Sequence, residues 1–283
     1  MHAPRAWKLK TRLLDWRERP LLMGILNVTP DSFSDGGQYL DPLAALDRAL
    51  ELEAQGADIL DLGGESTRPG ATPISPEAEL ARVLPVVRQL QGRLKIPLSV
   101  DTWKSVVADA ALQEGAEIVN DVSAGRWDPA LWPTVARHGA GYVLMHALDR
   151  PETMQHAPHY ADVSGEIADF LRHYLARAEE NGLELESIVC DPGFGFGKTM
   201  THNLTLLRDL ASLATLGRPL LVGLSRKSFL NLIGGSGSLA ITSELAHLWA
   251  TALGAAIWRV HDVPAALRTA RIAAAFGRGA GTT

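Results

Sequence analysis

Arg259 and His261 stand one residue apart where the apolar run Ala256-Ile-Trp ends. In an extended strand that spacing puts both side chains on one face, with Trp258 and Val260 turned toward a helical layer. Lys227 follows a second run, Leu220-Leu-Val-Gly-Leu, and Asn27 ends a third, Leu22-Met-Gly-Ile-Leu. Two cations, an imidazole and an amide oxygen suit an anion. Guanidinium offers a fork of donors to phosphate, and an amide oxygen can serve a Mg²⁺ that bridges phosphates. A structural alternative is an ion pair between Arg259 and Asp262, since an inward-facing cation without an anion is costly.

A second set is acidic and amide. Asp101, Asn120 and Asp191 each end an apolar run. A carboxylate accepts two parallel N–H bonds and an amide supplies both polarities, so this set suits a flat heterocycle with an N–C–NH2 edge. The alternative is a layer of polar barrel residues satisfied by water. Two other patterns fail on chemistry. Pro192-Gly-Phe-Gly-Phe-Gly197-Lys198-Thr199 nearly matches a P-loop, but proline occupies the first required glycine. Gly223-Leu-Ser225-Arg-Lys227 resembles a nucleophile elbow with lysine in place of its second glycine. His156 and His159 lie in a proline-containing loop and read as solvated. The segments Asn27–Gly37 and Gly63–Gly70 mix Gly and Pro with acid, base, hydroxyl and aromatic groups. They read as mobile lids over a substrate or, more plainly, as decorated surface loops.

These residues need a scaffold that gathers strand ends. Eight short β-like runs with helical pattern between them describe a βα repeat, and polar groups at the carboxyl ends of such strands mark an active site. The expected fold is α/β, a single (β/α)8 TIM barrel over 21–276. A short N-terminal β flap (1–20) covers its bottom, and a flexible tail follows (277–283). An open doubly wound sheet shares the alternation, but eight units favour closure. Ser75, then Pro76, marks a helix start. Helices are predicted over 42–55, 104–114, 131–138, 162–181, 201–215, 238–253 and 264–276. Ring closure would set the eighth strand beside the first, bringing Asn27 next to Arg259 and His261.

The chain has 283 residues, 46% of them hydrophobic, with net charge −5 and one cysteine. One domain is the economical reading, since a barrel typically takes roughly 250 residues. The acidic balance argues against nucleic-acid or membrane partners, and Cys190 alone excludes an internal disulfide or multi-cysteine metal site. With no apolar run near the roughly 18 residues of a membrane span and no signal-peptide core at the start, a cytoplasmic protein is expected.

In order along roughly residues 20–276 stand MGILNVTPDSFSDGG, DLGGESTRPG, SVDT, NDVS, VLMH, DPGFGFGKT, GLSRKSF and RVHDV. At these residues the chain resembles the dihydropteroate synthase family, folate-pathway enzymes targeted by sulfonamides. The resemblance implies condensation of (7,8-dihydropterin-6-yl)methyl diphosphate with 4-aminobenzoate, giving 7,8-dihydropteroate and pyrophosphate, with Mg²⁺ required. It makes Asn27 the Mg²⁺ ligand and Arg259 and His261 the diphosphate binders, helped by Thr67 and Arg68. Asp101, Asn120, Asp191 and Lys227 become the pterin set, with Asp191 at the 2-amino/N3 edge, Lys227 at the ring oxygen and Met145 under the ring. Phe33, Pro69, Phe196 and Ser228 resemble the aminobenzoate pocket, and Asp35 a loop acid near the reacting carbon. Arg259→Ala is expected to cripple turnover far more than pterin binding. The chain departs from the family after Met145, where His146-Ala-Leu-Asp-Arg replaces a Met-Gly-type continuation in a loop expected to carry no substrate contact. A homodimer through the late helices is implied, with Leu245, Leu248, Trp249 and Leu253 as an apolar face or else packed on the barrel. The rival readings are a corrinoid-linked methyltetrahydrofolate methyltransferase barrel and a non-catalytic pterin-binding paralogue.

Overall fold

Eight parallel strands close a ring in chain order. They are β3 (Leu21–Asn27), β4 (Ile59–Gly63), β5 (Leu98–Asp101), β6 (Ile118–Asp121), β7 (Gly141–Met145), β8 (Ile188–Asp191), β9 (Leu220–Val222) and β10 (Ala255–Val260). Closure runs through β10 and β3, where Arg259 registers with Met23 and Val260 with Gly24. The open-sheet alternative is thereby eliminated, and the expected TIM barrel is what the chain forms. This computed structural model describes residues 6–29, 42–235, 237 and 239–277. Phe33, Asp35 and residues 278–283 of the expected tail lie outside them.

Local sequence explains the outer layer. Helix α1 (Pro42–Ala54) buries Ala45, Leu46, Ala49 and Leu52, a stripe at helical spacing. Ser75 caps α2 (Pro76–Leu90), its side chain accepting the Ala78 N–H, with proline in the first turn. The remaining helices are α3 (Ser105–Gln113), α4 (Leu131–His138), α5 (Val163–Glu180), α6 (Met200–Arg208), α7 (Ser228–Gly234), α8 (Leu239–Ala252) and α9 (Val263–Gly277). Two differ from the sequence pattern. The helix expected over 201–215 is α6 followed by a 3-10 segment, Leu210–Leu216, the Asp209 side chain facing Arg208 and Ser164 at the break. The seven-residue α7 is too short for its periodicity to register.

The bottom of the barrel is sealed by the hairpin of β1 (Ala6–Lys8) and β2 (Leu13–Asp15). Trp7 and Leu9 pack with Met23, Ile59, Ile118, Val143, Val189, Leu221 and Ile257, and the Trp7 indole donates to the Ser187 carbonyl at 2.7 Å. Deleting a buried indole typically costs about 3–5 kcal/mol. In the outer layer, Trp258 faces the helices as its alternation requires, stacking on His247 of α8 with ring centroids 5.0 Å apart.

Candidate active site

Asn27, Gly63, Asp101 and Asn120 are successive register partners across β3, β4, β5 and β6. Gly63 leaves room between its neighbours, for a Cβ there would lie 3.1 Å from Asn27 Oδ1 and 3.7 Å from the Asp101 Cβ. Two residues earlier on β4 is Asp61, fully buried and not among the expected site residues. Its Oδ2 accepts from Arg259 Nε at 2.6 Å and from Asn120 Nδ2 at 3.0 Å, while Arg259 Nη2 donates to Asp101 Oδ2 at 2.7 Å. The alternative pairing with Asp262 does not form: Asp262 accepts the Ala265 N–H at the start of α9. Arg259 thus already has two carboxylates. Burial opposes its charge, but Asp61 and Asp101 more than offset that, holding the guanidinium above its usual range. Burial pushes Asp101 up to about 7 against the pull of Arg259, and Asp61 adds to the rise.

Asp191, at the end of β8, accepts the Gly193 N–H at 2.7 Å. Burial raises its carboxyl to about 6, against the Gly193 bond and Lys227, and burial lowers Lys227 to about 8. Gly193 is obligatory: φ is +70°, and a Cβ would sit 1.8 Å from the His146 carbonyl oxygen. Lys198 is fixed beside it. Its Nζ lies 2.9 Å from His146 Nδ1 and donates to the carbonyls of Gly193 at 2.8 Å and Phe196 at 3.2 Å. The residue that a P-loop would aim at phosphate therefore holds its own loop. Lys227 Nζ stands 4.5 Å over the Phe196 ring, and Phe196 joins Val122, Met145 and Ala147 with Trp103 and Trp127 in an apolar wall.

Every expected site residue within the described part lines one cavity of about 750 Å³: Asn27, Thr67, Arg68, Pro69, Asp101, Asn120, Met145, Asp191, Phe196, Lys227, Ser228, Arg259 and His261. Met154 and Gln155, in the loop after β7 that was expected to carry no substrate contact, line it too. That loop is also a brace. Gln155 donates to the Gly195 carbonyl at 2.7 Å, the Pro151 carbonyl accepts the Gly70 N–H at 2.9 Å, and Arg150 lies 5.1 Å over Trp103 and 5.2 Å over Trp127. The loop after β4 has further anchors. Arg82 donates to the Gly64 carbonyl at 2.9 Å, and Glu65 shares buried Lys104 with Glu79. His156 and His159 are exposed, as expected. Among the described residues no group of three or more His, Cys, Asp or Glu could hold a metal, and no helix is long and apolar enough to cross a membrane.

A family model described as pterin binding enzyme matches residues 23–261. A Synechocystis dihydropteroate synthase is 43% identical over 274 residues, covering 94% of this chain and 93% of the relative. The Escherichia coli dihydropteroate synthase is 43% identical over 255 residues, covering 89% and 90%. The chain belongs to the dihydropteroate synthase family. Solved dihydropteroate synthases share its backbone. That of Xanthomonas albilineans with 4-aminobenzoic acid superposes with a TM-score of 0.90 at 42% identity, covering 97% of this chain and 98% of the other. The same species' dihydropteroate synthase in complex with 7,8-dihydropteroate gives 0.86 at 39%, covering 96% and 99%. Full-length membership of the dihydropteroate synthase family sets aside the corrinoid-linked methyltransferase reading.

Proposed function

We propose that the chain condenses (7,8-dihydropterin-6-yl)methyl diphosphate with 4-aminobenzoate, releasing 7,8-dihydropteroate and pyrophosphate. The carrying observation is that one cavity joins the carboxylate–amide set Asp101, Asn120 and Asp191 to the cationic set Lys227, Arg259 and His261. Ionised Asp191 would accept the 2-amino and N3 hydrogens, Lys227 would donate to the ring oxygen, and Met145 would pack under the ring. Arg259 keeps Asp61 and Asp101 and offers Nη1, which has no hydrogen-bond partner among the described residues, to the diphosphate beside His261, Thr67 and Arg68.

In this reading the C–O bond to diphosphate breaks first, its electron pair leaving with the diphosphate. The positive charge at the exocyclic CH2 spreads into the dihydropterin ring. The neutral arylamine nitrogen then forms the C–N bond and sheds a proton, with Asp35 as stabiliser of the cation or acceptor of that proton. Preorganised donors at developing anionic charge are typically worth about 3–4 kcal/mol each, and holding the nucleophile nearby adds several more within a ceiling of roughly 7–11 kcal/mol. Pro69 and Phe196, with Phe33, would flank the aminobenzoate ring, and Ser228 would meet its carboxylate end.

The donor set fits Mg²⁺. Asn27 Oδ1 faces the gap at Gly63 beside Asp101, whose Oδ1 is buried without a hydrogen-bond partner. A single amide oxygen, with substrate phosphates and water completing the shell, is the sparse coordination magnesium commonly accepts. When bound, the ion would neutralise charge developing on the diphosphate. We further assign a cytoplasmic homodimer. Ile241, Leu245 and Trp249 form an exposed apolar row on α8, whereas Leu248 and Leu253 pack on the barrel core.

Pyrophosphate release tests the reading: it should require both substrates and Mg²⁺, and chelation should abolish it. Release from the diphosphate alone, or none with both present, would instead point to a hydrolase or to a non-catalytic pterin binder.

A further inference from the structure

Ser225 carries no role in the reaction as described so far, yet it makes two contacts with one residue. Its Oγ lies 3.3 Å from the His261 backbone nitrogen and 3.1 Å from His261 Nδ1. A backbone N–H can only donate, so Oγ accepts there, and the single hydroxyl hydrogen is free to point at the ring. A hydroxyl that donates to Nδ1 leaves the ring proton on Nε2. We propose that Ser225 is a positioning residue that holds His261 as its Nε2–H tautomer, so that a neutral imidazole meets the leaving diphosphate as a hydrogen-bond donor.

Two further observations support this. Burial, together with Arg259, Arg226, Lys227 and Arg68, pushes His261 down to about 3, so the ring of the free protein is neutral and has a tautomer for Ser225 to set. Diphosphate oxygens only accept, and the opposite tautomer would confront them with a lone pair. The turn carrying Ser225 is also braced. The next residue, Arg226, adopts φ +57°, unusual for a non-glycine residue, and its N–H donates to Ser243 Oγ on α8 at 3.0 Å. Strain of that kind persists where surrounding contacts over-determine it, and here it accompanies a hydroxyl held beside Nδ1.

The role rests on the proposed diphosphate site, but the tautomer can be read without substrate. The full chain, labelled with ¹⁵N-histidine and with His261 assigned through H261Q, should show one Nε2–H tautomer in the free protein. S225A should show both tautomers, bind pyrophosphate with Mg²⁺ about tenfold more weakly, the scale of one neutral hydrogen bond, and lose kcat with KM for 4-aminobenzoate unchanged. S225T should restore both readouts. An Nδ1–H ring in the wild-type protein, or an S225A variant with unaltered tautomer and affinity, would overturn the inference. If S225A does not fold, the wild-type tautomer and S225T decide. Failure of wild-type protein to bind pyrophosphate would refute the diphosphate site itself, a separate result.

Discussion

The cavity has a floor and a rim, and they are built differently. Asp61, Asp101, Asn120, Asp191 and Arg259 lie on strands, and the partners of Arg259 come from β4 and β5, on the far side of the β10–β3 seam. Asp61, Asp101, Asn120 and Arg259 orient one another inside the ring, and Asp191 is held by the Gly193 N–H. The rim residues Thr67, Arg68, Pro69 and Ser228 are half-buried or exposed, and the anchors of the loop after β4 sit at its ends: Arg82 and Lys104 at one, Pro151 near the other. Burial makes floor groups interdependent and rim groups replaceable one at a time. In the proposed function the floor preorganises the pterin site and the Arg259 side of the diphosphate site, and the rim adjusts to the second substrate.

The harshest test removes the hub. Arg259→Ala leaves Asp61 and Asp101 buried without their counter-charge, so stability should fall by about 3–5 kcal/mol and kcat by roughly 10²–10³. The sequence-based expectation was a loss of turnover far larger than the loss of pterin binding; because Arg259 holds Asp101, which the proposed function gives to the pterin, affinity should fall as well. Thermal unfolding with pterin titration measures both. A variant that keeps Tm and loses only turnover would break the idea of an interdependent floor. Lys104→Met asks the same of a rim anchor. It strands Glu65 and Glu79 and should also cost about 3–5 kcal/mol in thermal unfolding, while pterin affinity of the folded fraction stays near wild type.

Acidity should separate the regions next. Asp101 and Asp191 titrate at about 7 and about 6 against a reference of 3.8. The native state therefore binds more protons than the unfolded chain between roughly pH 4 and 7, and stability falls as pH rises through that window. Pterin binding runs the other way, because only the ionised carboxylates accept its N–H groups. Lys227, lowered to about 8, loses its proton above that. Calorimetric pterin affinity should peak near pH 7–8 and drop on both sides, with apparent values belonging to the coupled set, and Asp191→Asn should remove the Asp191 contribution to the acid limb. A flat profile would place the recognising carboxylates elsewhere. The corresponding rim variant, Arg68→Ala, should leave the profile shape unchanged.

Legibility in the sequence divided along the same line. Strand ends announce themselves because an apolar run stops on a polar residue, so Asn27, Asp101, Asn120, Asp191 and Arg259 could be picked out singly. Their partners could not, for the bonds from Asp61 to Arg259 and Asn120 span 198 and 59 positions. Asp61 itself follows the short apolar pair Ile59-Leu60, and the available signal was the uncompensated Arg259, which called for a buried acid. Lys198 was hidden by its resemblance to a phosphate-binding lysine, although the proline that spoils the P-loop already implied another task. Met154 and Gln155 carry no periodic or charge signal. Only the path of the loop after β7 brings them to the cavity.

Gln155 provides the mildest and most discriminating test. Its amide donates to the Gly195 carbonyl, and Gly195 precedes Phe196 in the apolar wall. Gln155→Ala deletes one neutral hydrogen bond between two loops, a loss of about 0.5–1.5 kcal/mol. Because that amide makes no hydrogen bond to a floor residue among the described residues, pterin affinity and Tm should barely move. Phe196 would gain freedom, and KM for 4-aminobenzoate should rise several-fold at nearly constant kcat. Steady-state kinetics with each substrate varied in turn reads this directly. An equal rise in KM for the pterin diphosphate would mean that loosening the rim is transmitted to the floor, and the two regions would then be one mechanical unit.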